Sequence, residues 1–244
     1  MSFQLQLLRA DKLAKVLQSR RLVSALLRFG VLAGVEHRAV FSSDLATVVD
    51  IGANRGQFAL AAREYAPQAR IISFEPLPGP AAIFRRVFAR DPMVTLHEKA
   101  VGPKSGEADI HVAAADDSSS LLPMALQTSL FPGSGECGTA QIRVARLADC
   151  LSCDEIRPPA LLKLDVQGYE LQALRGCEEL LDRSTWIYAE CSFVELYAGQ
   201  ALADEVIAWL RDRNFFLSGV YNVYYGPEGK AVQGDFLFQA DREH

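Results

Sequence analysis

Two stretches of this sequence hold charged residues inside runs that are otherwise apolar. In LLKLDVQGYE, Leu161 to Glu170, a run that reads as a buried strand contains Lys163 and Asp165 and passes through Gly168 into Glu170. Ionised groups taken out of water cost several kcal/mol unless they are paired or used. Residues two apart on a strand point to the same face. Lys163 and Asp165 are therefore placed to pair, which would lower the carboxylate's pKa and offset its burial. Glu170 falls in the first turn of the following helix, where the helix dipole favours a carboxylate.

The second stretch, VVDIGANRGQF, Val48 to Phe58, turns from a strand into a helix through Gly52 and Gly56. Glycines permit a tight turn and a close backbone approach to a ligand. A dinucleotide site would show G-x-G-x-x-G here, but Asn54 and Gln57 stand where the second and third glycines belong. Asp50, at the strand end, would also repel a diphosphate, so NAD is disfavoured. A cationic sulfonium and an α-ammonium group instead welcome a nearby carboxylate, met directly or through water. One strand later, SFEP places Glu75 where an acid can accept both hydroxyls of a ribose. Together these acids indicate S-adenosylmethionine; the plainer alternatives are a loop-capping Asp50 and a surface Glu75.

Positioning these residues requires alternating elements, and the sequence supplies them. ATVVDIG, RIISFEP and VTLHEKAVG read as strands, with helices QFALAAREYA and PAAIFRRVFAR between them. After a break the alternation resumes as ALLKLDV, ELQALRGCEELLDR, WIYAECS and DEVIAWLRDRN, and ends in a hairpin of FFLSGVYNVYY and AVQGDFLFQ about a GPEG turn. Strands alternating with helices imply βαβ units, a parallel sheet and helices on both faces. The break holds two strands, EADIHVAA and AQIRVARL, separated by a Ser-, Gly- and Pro-rich segment. Connections of that length are usually functional, and residues 113–140 are read as a substrate lid or a surface insertion.

With 244 residues, half of them hydrophobic, the chain is long enough for one large α/β domain. No repeat or linker divides residues 46–244. Residues 1–45 differ in character: positions 1–40 hold seven basic residues against two acidic, so the net charge of −5 resolves into a +5 segment and a −10 body. Leu5, Leu8, Leu13, Val16, Leu17, Leu22, Val23, Leu26 and Leu27 recur at helical spacing. The segment is expected to be a helical cap on the body or on a second copy of the chain. A basic amphipathic helix is also suited to an anionic membrane surface, which would fit a lipid-linked substrate. The acidic balance argues against nucleic acid as partner. No apolar run reaches the ~20 residues of a membrane-spanning helix, and the N-terminus lacks the order of a secretion signal, so the cytoplasm is the expected location. Five cysteines include one C-x-x-C, Cys150 and Cys153; without a second such pair, ordinary buried thiols are expected rather than a metal or redox site.

VVDIGANRGQF, SFEP, EKAVG, VARLADCL and LLKLDVQGYELQALRG, in this order, resemble the FkbM-type methyltransferases over about residues 47 to 240. The resemblance implies a doubly wound, Rossmann-like class I methyltransferase sheet of seven strands with the last antiparallel, outside which the N-terminal helical extension falls. It implies an S-adenosylmethionine cofactor and methylation of hydroxyl oxygens on sugars or secondary-metabolite scaffolds. Carried over by motif, Asp50, Gly52, Asn54 and Gly56 would line the methionine part of the cofactor, Glu75 its ribose, and Ala100 with Val101 its adenine.

Methyl transfer to a hydroxyl is an in-line displacement that needs alignment and removal of the hydroxyl proton. Asp165 is the expected base or orienting group, with Lys163 beside it and Glu190 of YAEC, at the end of the next strand, as its companion. Alternatively, Asp165 and Glu190 would hold magnesium, which oxygen ligands suit. His97 and His111 lie within strands and are weaker candidates for a base. Nitrogen or carboxyl methylation, and a methyltransferase fold that binds without catalysis, are the competing functions.

Overall fold

In the computed structural model, which describes residues 12–227 and 229–241, the apolar runs become the strands of two sheets. The strands are β1 (Thr47–Ile51), β2 (Arg70–Phe74), β3 (Val94–His97), β4 (Ala100–Val101) and β5 (Gly106–Ala113). They continue with β6 (Glu136–Ala145), β7 (Ala160–Leu164), β8 (Trp186–Ser192), β9 (Phe215–Tyr225) and β10 (Ala231–Ala240). Seven form one sheet in the order β3-β2-β1-β7-β8-β10-β9. Pairing is parallel from β3 to β8, and β10 runs antiparallel to both β8 and β9. The terminal hairpin thus inserts its last strand between β8 and β9, as the expected fold requires.

The principal helices are α1 (Arg20–Phe29), α2 (Gln57–Tyr65), α3 (Pro78–Val87), α4 (Glu170–Cys177) and α5 (Ala203–Arg211). Successive strand residues point to opposite faces, and both faces are covered. Val49, Ile51, Leu162, Leu164 and Ile187 pack with Leu171, Leu174, Val206 and Leu210 beneath α4 and α5. Val48, Leu161 and Tyr188 pack with Phe58, Ala59 and Ala62 of α2 on the other side. This two-sided burial explains why the parallel strands read as continuous apolar runs.

The N-terminal period resolves into two helices rather than one. Residues 12–17 are helical, and α1 starts anew at Ser19, whose Oγ accepts from the Leu22 amide at 3.4 Å. Leu5 and Leu8 lie outside the described residues. Val16, Leu22, Ala25, Val31, Val35 and Leu45 share the core cluster of Val48 and Phe58, so residues 12–45 pack on the body as a cap would.

VTLHEKAVG is two strands, not one. The chain turns after His97, where Lys99 N donates to His97 O at 2.9 Å, and β4 leaves the main sheet to pair with β6. With β5 antiparallel on the other side of β6, this three-stranded sheet buries Ile110, Ile142 and Val144 against Leu77. The 113–140 segment contains two short helical turns, Asp116–Ser118 and Gln127–Leu130, and docks on residues 194–200 through Ala125 N to Leu196 O and Ala198 N to Pro123 O, both 2.8 Å. Cys177 and Cys191 are buried, but Cys137 and Cys153 are exposed, correcting the expectation of buried thiols. Cys153 opens a short turn capped by Ser152 and Glu155, which holds it at the surface.

Candidate active site

Register across the main sheet assembles a row of polar side chains. Asp50 pairs with Lys163, Lys163 with Tyr188, and Glu190 with Asp235. Partners in register share a face, so all five project from the side whose deeper positions are Val48, Leu161, Trp186 and Leu237. The row lies toward the carboxyl ends of the parallel strands, where doubly wound sheets bind ligands. A cleft of about 260 Å³ opens there, lined by Gly52, Asn54, Glu75, Lys163 and Asp165 among others.

Lys163 anchors the row. Its Nζ lies 3.0 Å from Asp50 Oδ1, donates to the Gly52 carbonyl oxygen at 2.9 Å, and stands 3.7 Å from Asp165 Oδ2. The expected pairing with Asp165 is thus secondary; the neighbouring strand brings Asp50 closer. Burial pulls the ammonium's pKa down, but Asp50 and Asp165 outweigh it and hold Lys163 above its ordinary value. Burial pushes Asp50 up, against the pull of Lys163. Asp50 is 0% exposed beneath the loop and does not line the cleft; what it touches is Lys163.

The loop shapes the other end of the cleft. Gly52 has φ +77°, and a Cβ there would run into the Asp165 carbonyl oxygen. Gly56 also sits in the left-handed region, at φ +94°, but packs against Phe84 and Phe88 and sets the start of α2 instead of lining the cleft. Asn54 N donates to Glu75 Oε2 at 2.9 Å, and Leu77 N to Oε1 at 2.8 Å. Burial raises Glu75 to a pKa of about 7 despite these two bonds. Each of its oxygens retains a lone pair for a further donor. Asn54 Oδ1 and Gln57 Oε1 are buried without partners beside the cleft. Ala100, Val101, Phe74, Leu77 and Ile110 form an apolar slot beyond Glu75. Orphaned acceptors, a carboxylate with spare lone pairs and an apolar slot fit the ammonium, ribose and adenine of S-adenosylmethionine.

Asp165 stands just past β7, with its side chain 41% exposed to the cleft. Gln167, held at φ +55°, donates from Nε2 to Asp165 Oδ1 at 2.8 Å and to Glu190 Oε2 at 3.1 Å. The Tyr197 hydroxyl lies 2.8 Å from Gln167 Oε1 and fixes the amide. Gln233 Nε2 donates to the other Glu190 oxygen at 2.8 Å. Burial, then Asp165 and Asp235, push the Glu190 pKa well up. Glu190, the expected companion of Asp165, does not line the cleft and is held between Gln167 and Gln233. A magnesium held by Asp165 and Glu190 does not fit either, because the Gln167 amide N–H stands between the two carboxylates.

Glu170 clamps the turn, accepting from Val166 N at 2.9 Å and Gly168 N at 3.2 Å, and burial raises it to about 7. His97 stacks on Phe74 at 4.7 Å and His111 pairs with Glu136 at 3.0 Å, both away from the cleft wall. Sequence reasoning missed His37, which lines the cleft 3.1 Å from the Tyr188 hydroxyl. It is a lone histidine in the segment set aside as an extension. One signal was available: Asp235 interrupts an apolar alternation, AVQGDFLFQ, in the same way as Lys163.

Comparison with known proteins agrees with this geometry. The model described as the methyltransferase FkbM domain matches residues 50–217. A protein of Sinorhizobium fredii described as 2-O-methyltransferase NoeI is 30% identical over 160 residues, covering 63% of this chain and 66% of its own length. A Beauveria bassiana protein described as Methyltransferase 1 is 27% identical over 162 residues, covering 61% of this chain and 64% of its own. The match therefore spans about two thirds of these relatives. A solved structure of methyltransferase FkbM from Methylobacillus flagellatus shares the fold at 14% identity and a TM-score of 0.54, covering 88% of this chain and 54% of that one. The chain belongs to the FkbM methyltransferase family and carries its S-adenosylmethionine-dependent methyltransferase domain over residues 50–217.

Proposed function

We propose that the protein is an O-methyltransferase acting on a hydroxyl of a sugar, glycolipid or secondary-metabolite scaffold. When bound, S-adenosylmethionine supplies an electrophilic methyl group on sulfonium. Glu75 would hold the ribose hydroxyls, the Gly52 to Asn54 backbone with Asn54 and Gln57 the methionine end, and Ala100 with Val101 the adenine. The observation that carries the reading is Asp165: a carboxylate at the end of β7 that faces the cleft, fixed by Gln167 beside the loop that Lys163 anchors. Asp165 accepts the hydrogen bond of the acceptor hydroxyl and aims its oxygen, an alignment worth several kcal/mol in a bimolecular step. The name of the Sinorhizobium relative supports oxygen over nitrogen as the acceptor atom. Asp117, Ser119 and Leu121 of the 113–140 segment also line the cleft, which supports a part in acceptor choice. The test is transfer of labelled methyl from S-adenosylmethionine to a panel of methyl glycosides and polyols against a matched panel of amines; transfer confined to amines would overturn it.

We also propose that the N-terminal helices rest on an anionic membrane surface. Leu13, Leu17 and Leu27 are 45%, 63% and 79% exposed, on a segment that also carries Arg20, Arg21 and Arg28. No described helix is long and apolar enough to cross a membrane. Because residues 12–45 belong to the core, truncation is the wrong test. Sedimentation with anionic vesicles should fall for Leu17→Glu with Leu27→Glu; equal sedimentation would end the idea.

A further inference from the structure

His37 has no part in the reading above, yet it is built into the site. It lies in the turn Val35–Val40, which crosses the polar face of the sheet and lines the same cleft as Lys163 and Asp165. Gly34 N donates to Gln57 O at 2.8 Å, tying this turn to the start of α2, and a Cβ at Gly34 would stand 2.9 Å from the His37 ring. The ring is therefore held closely.

The groups around Nδ1 point to it as the protonated nitrogen. Nδ1 is 3.1 Å from the Tyr188 hydroxyl and 3.5 Å from Asp235 Oδ2. The hydroxyl's single hydrogen is directed at Asp235 Oδ2, 3.0 Å away, and Asn222 Nδ2 donates to the same oxygen at 2.8 Å. Two donors on this one oxygen make Asp235 the acceptor of the cluster. An ionised carboxylate only accepts. Tyr188 then offers His37 lone pairs, which fits Nδ1 as the donor, with Asn222 Nδ2 also 3.5 Å from the same nitrogen. In a neutral imidazole the other nitrogen is then a bare acceptor.

The remaining neighbours leave Nε2 available. Glu36 Oε1 is 3.8 Å from it and is held at 2.7 Å by Lys12. Phe58 packs 5.4 Å from the His37 ring centroid and carries the Lys163 ammonium at 5.5 Å, so the buried cation stands behind an aromatic ring.

We propose that His37 Nε2 is the proton acceptor for the acceptor hydroxyl, with Tyr188 and Asp235 as its positioning residues. This rests on the O-methyltransferase reading. The hydroxyl oxygen forms a bond to the methyl carbon, the sulfur–carbon bond breaks with its electron pair staying on sulfur, and the hydroxyl proton passes to Nε2. Asp165 orients the oxygen and His37 takes the proton. The N-terminal segment then completes the catalytic site as well as capping the fold.

Two measurements decide it. Nitrogen-15 NMR of histidine-labelled protein with S-adenosylhomocysteine, assigned by His37→Gln, should show the neutral ring protonated on Nδ1; protonation on Nε2 would overturn the proposal without reference to any acceptor. Methyl transfer to methyl glycosides should fall by about 10²- to 10⁴-fold in His37→Gln. The variant should keep its affinity for S-adenosylhomocysteine. In His37→Ala, added imidazole should restore part of the rate. Asp235→Asn should lower kcat with little change in acceptor KM. A His37→Gln rate within threefold of wild type would also overturn it. If wild type transfers nothing to these glycosides, the tautomer decides alone, and S-adenosylhomocysteine affinity reports separately on the cofactor reading.

Discussion

Lys163 holds Asp50, in register on the neighbouring strand, at 3.0 Å, and Asp165, two residues along its own chain, at 3.7 Å. The same ammonium donates to the Gly52 carbonyl oxygen, so a single buried cation ties the end of β7 to the cofactor loop. The charged strand is therefore a brace between the two halves of the cleft.

Removing that brace exposes its energetic role. Lys163→Met leaves the Asp50 carboxylate buried and unpaired and should destabilise the fold by about 3–5 kcal/mol. Adding Asp50→Asn should recover much of the loss. Urea unfolding of the single and double variants checks this; additive losses would contradict it.

The raised pKa of Glu75 sets a pH dependence. Ribose hydroxyls donate to the carboxylate, so affinity for S-adenosylhomocysteine should rise as pH passes through about 7. In Glu75→Gln the affinity should be lower and lack that rise, as isothermal titration at several pH values would show. Stability of the ligand-free protein runs the other way: the raised Glu75 and Glu170 contribute most below their unfolded values and lose that contribution as pH rises through about 7.

Gly52→Ala tests the close approach of the loop to β7. A Cβ would strike the Asp165 carbonyl oxygen from a backbone already at φ +77°. The expected result is a loss of about 1–3 kcal/mol or more in stability, together with at least about tenfold weaker S-adenosylhomocysteine binding. Thermal melts and titration read both. Wild-type values would refute the packing argument.

The alternation of apolar runs carried the main sheet, the helices and the antiparallel last strand, because periodicity reports burial directly. Asp50, Glu75, Lys163 and Asp165 were legible as well, since charge inside an apolar run demands a partner. Register was not legible. It decides that Lys163 meets Asp50 first, and it sets Glu190 beside Asp235 rather than in the cleft. Nor does local pattern show that a turn near residue 37 folds over strands some 150 and 200 residues later, which is what gives His37 its partners Tyr188 and Asp235. The split of VTLHEKAVG escaped notice for a related reason: β4 finds its partner in β6, across an intervening strand and loop.

Asp165→Asn keeps the shape of the cleft and removes the carboxylate facing it. Methyl transfer should drop by about 10²-fold or more, while S-adenosylhomocysteine affinity stays within about threefold. Undiminished transfer would instead favour a nitrogen acceptor, for which hydroxyl alignment is irrelevant.

Calorimetric titration with S-adenosylhomocysteine of wild type, Glu75→Ala and Asp165→Asn tests the central claim most directly. Wild type should bind in the micromolar range, about 8 kcal/mol, Glu75→Ala at least about tenfold more weakly, and Asp165→Asn like wild type. No binding by wild type, or undiminished binding by Glu75→Ala, would contradict the assignment of this cleft to the cofactor.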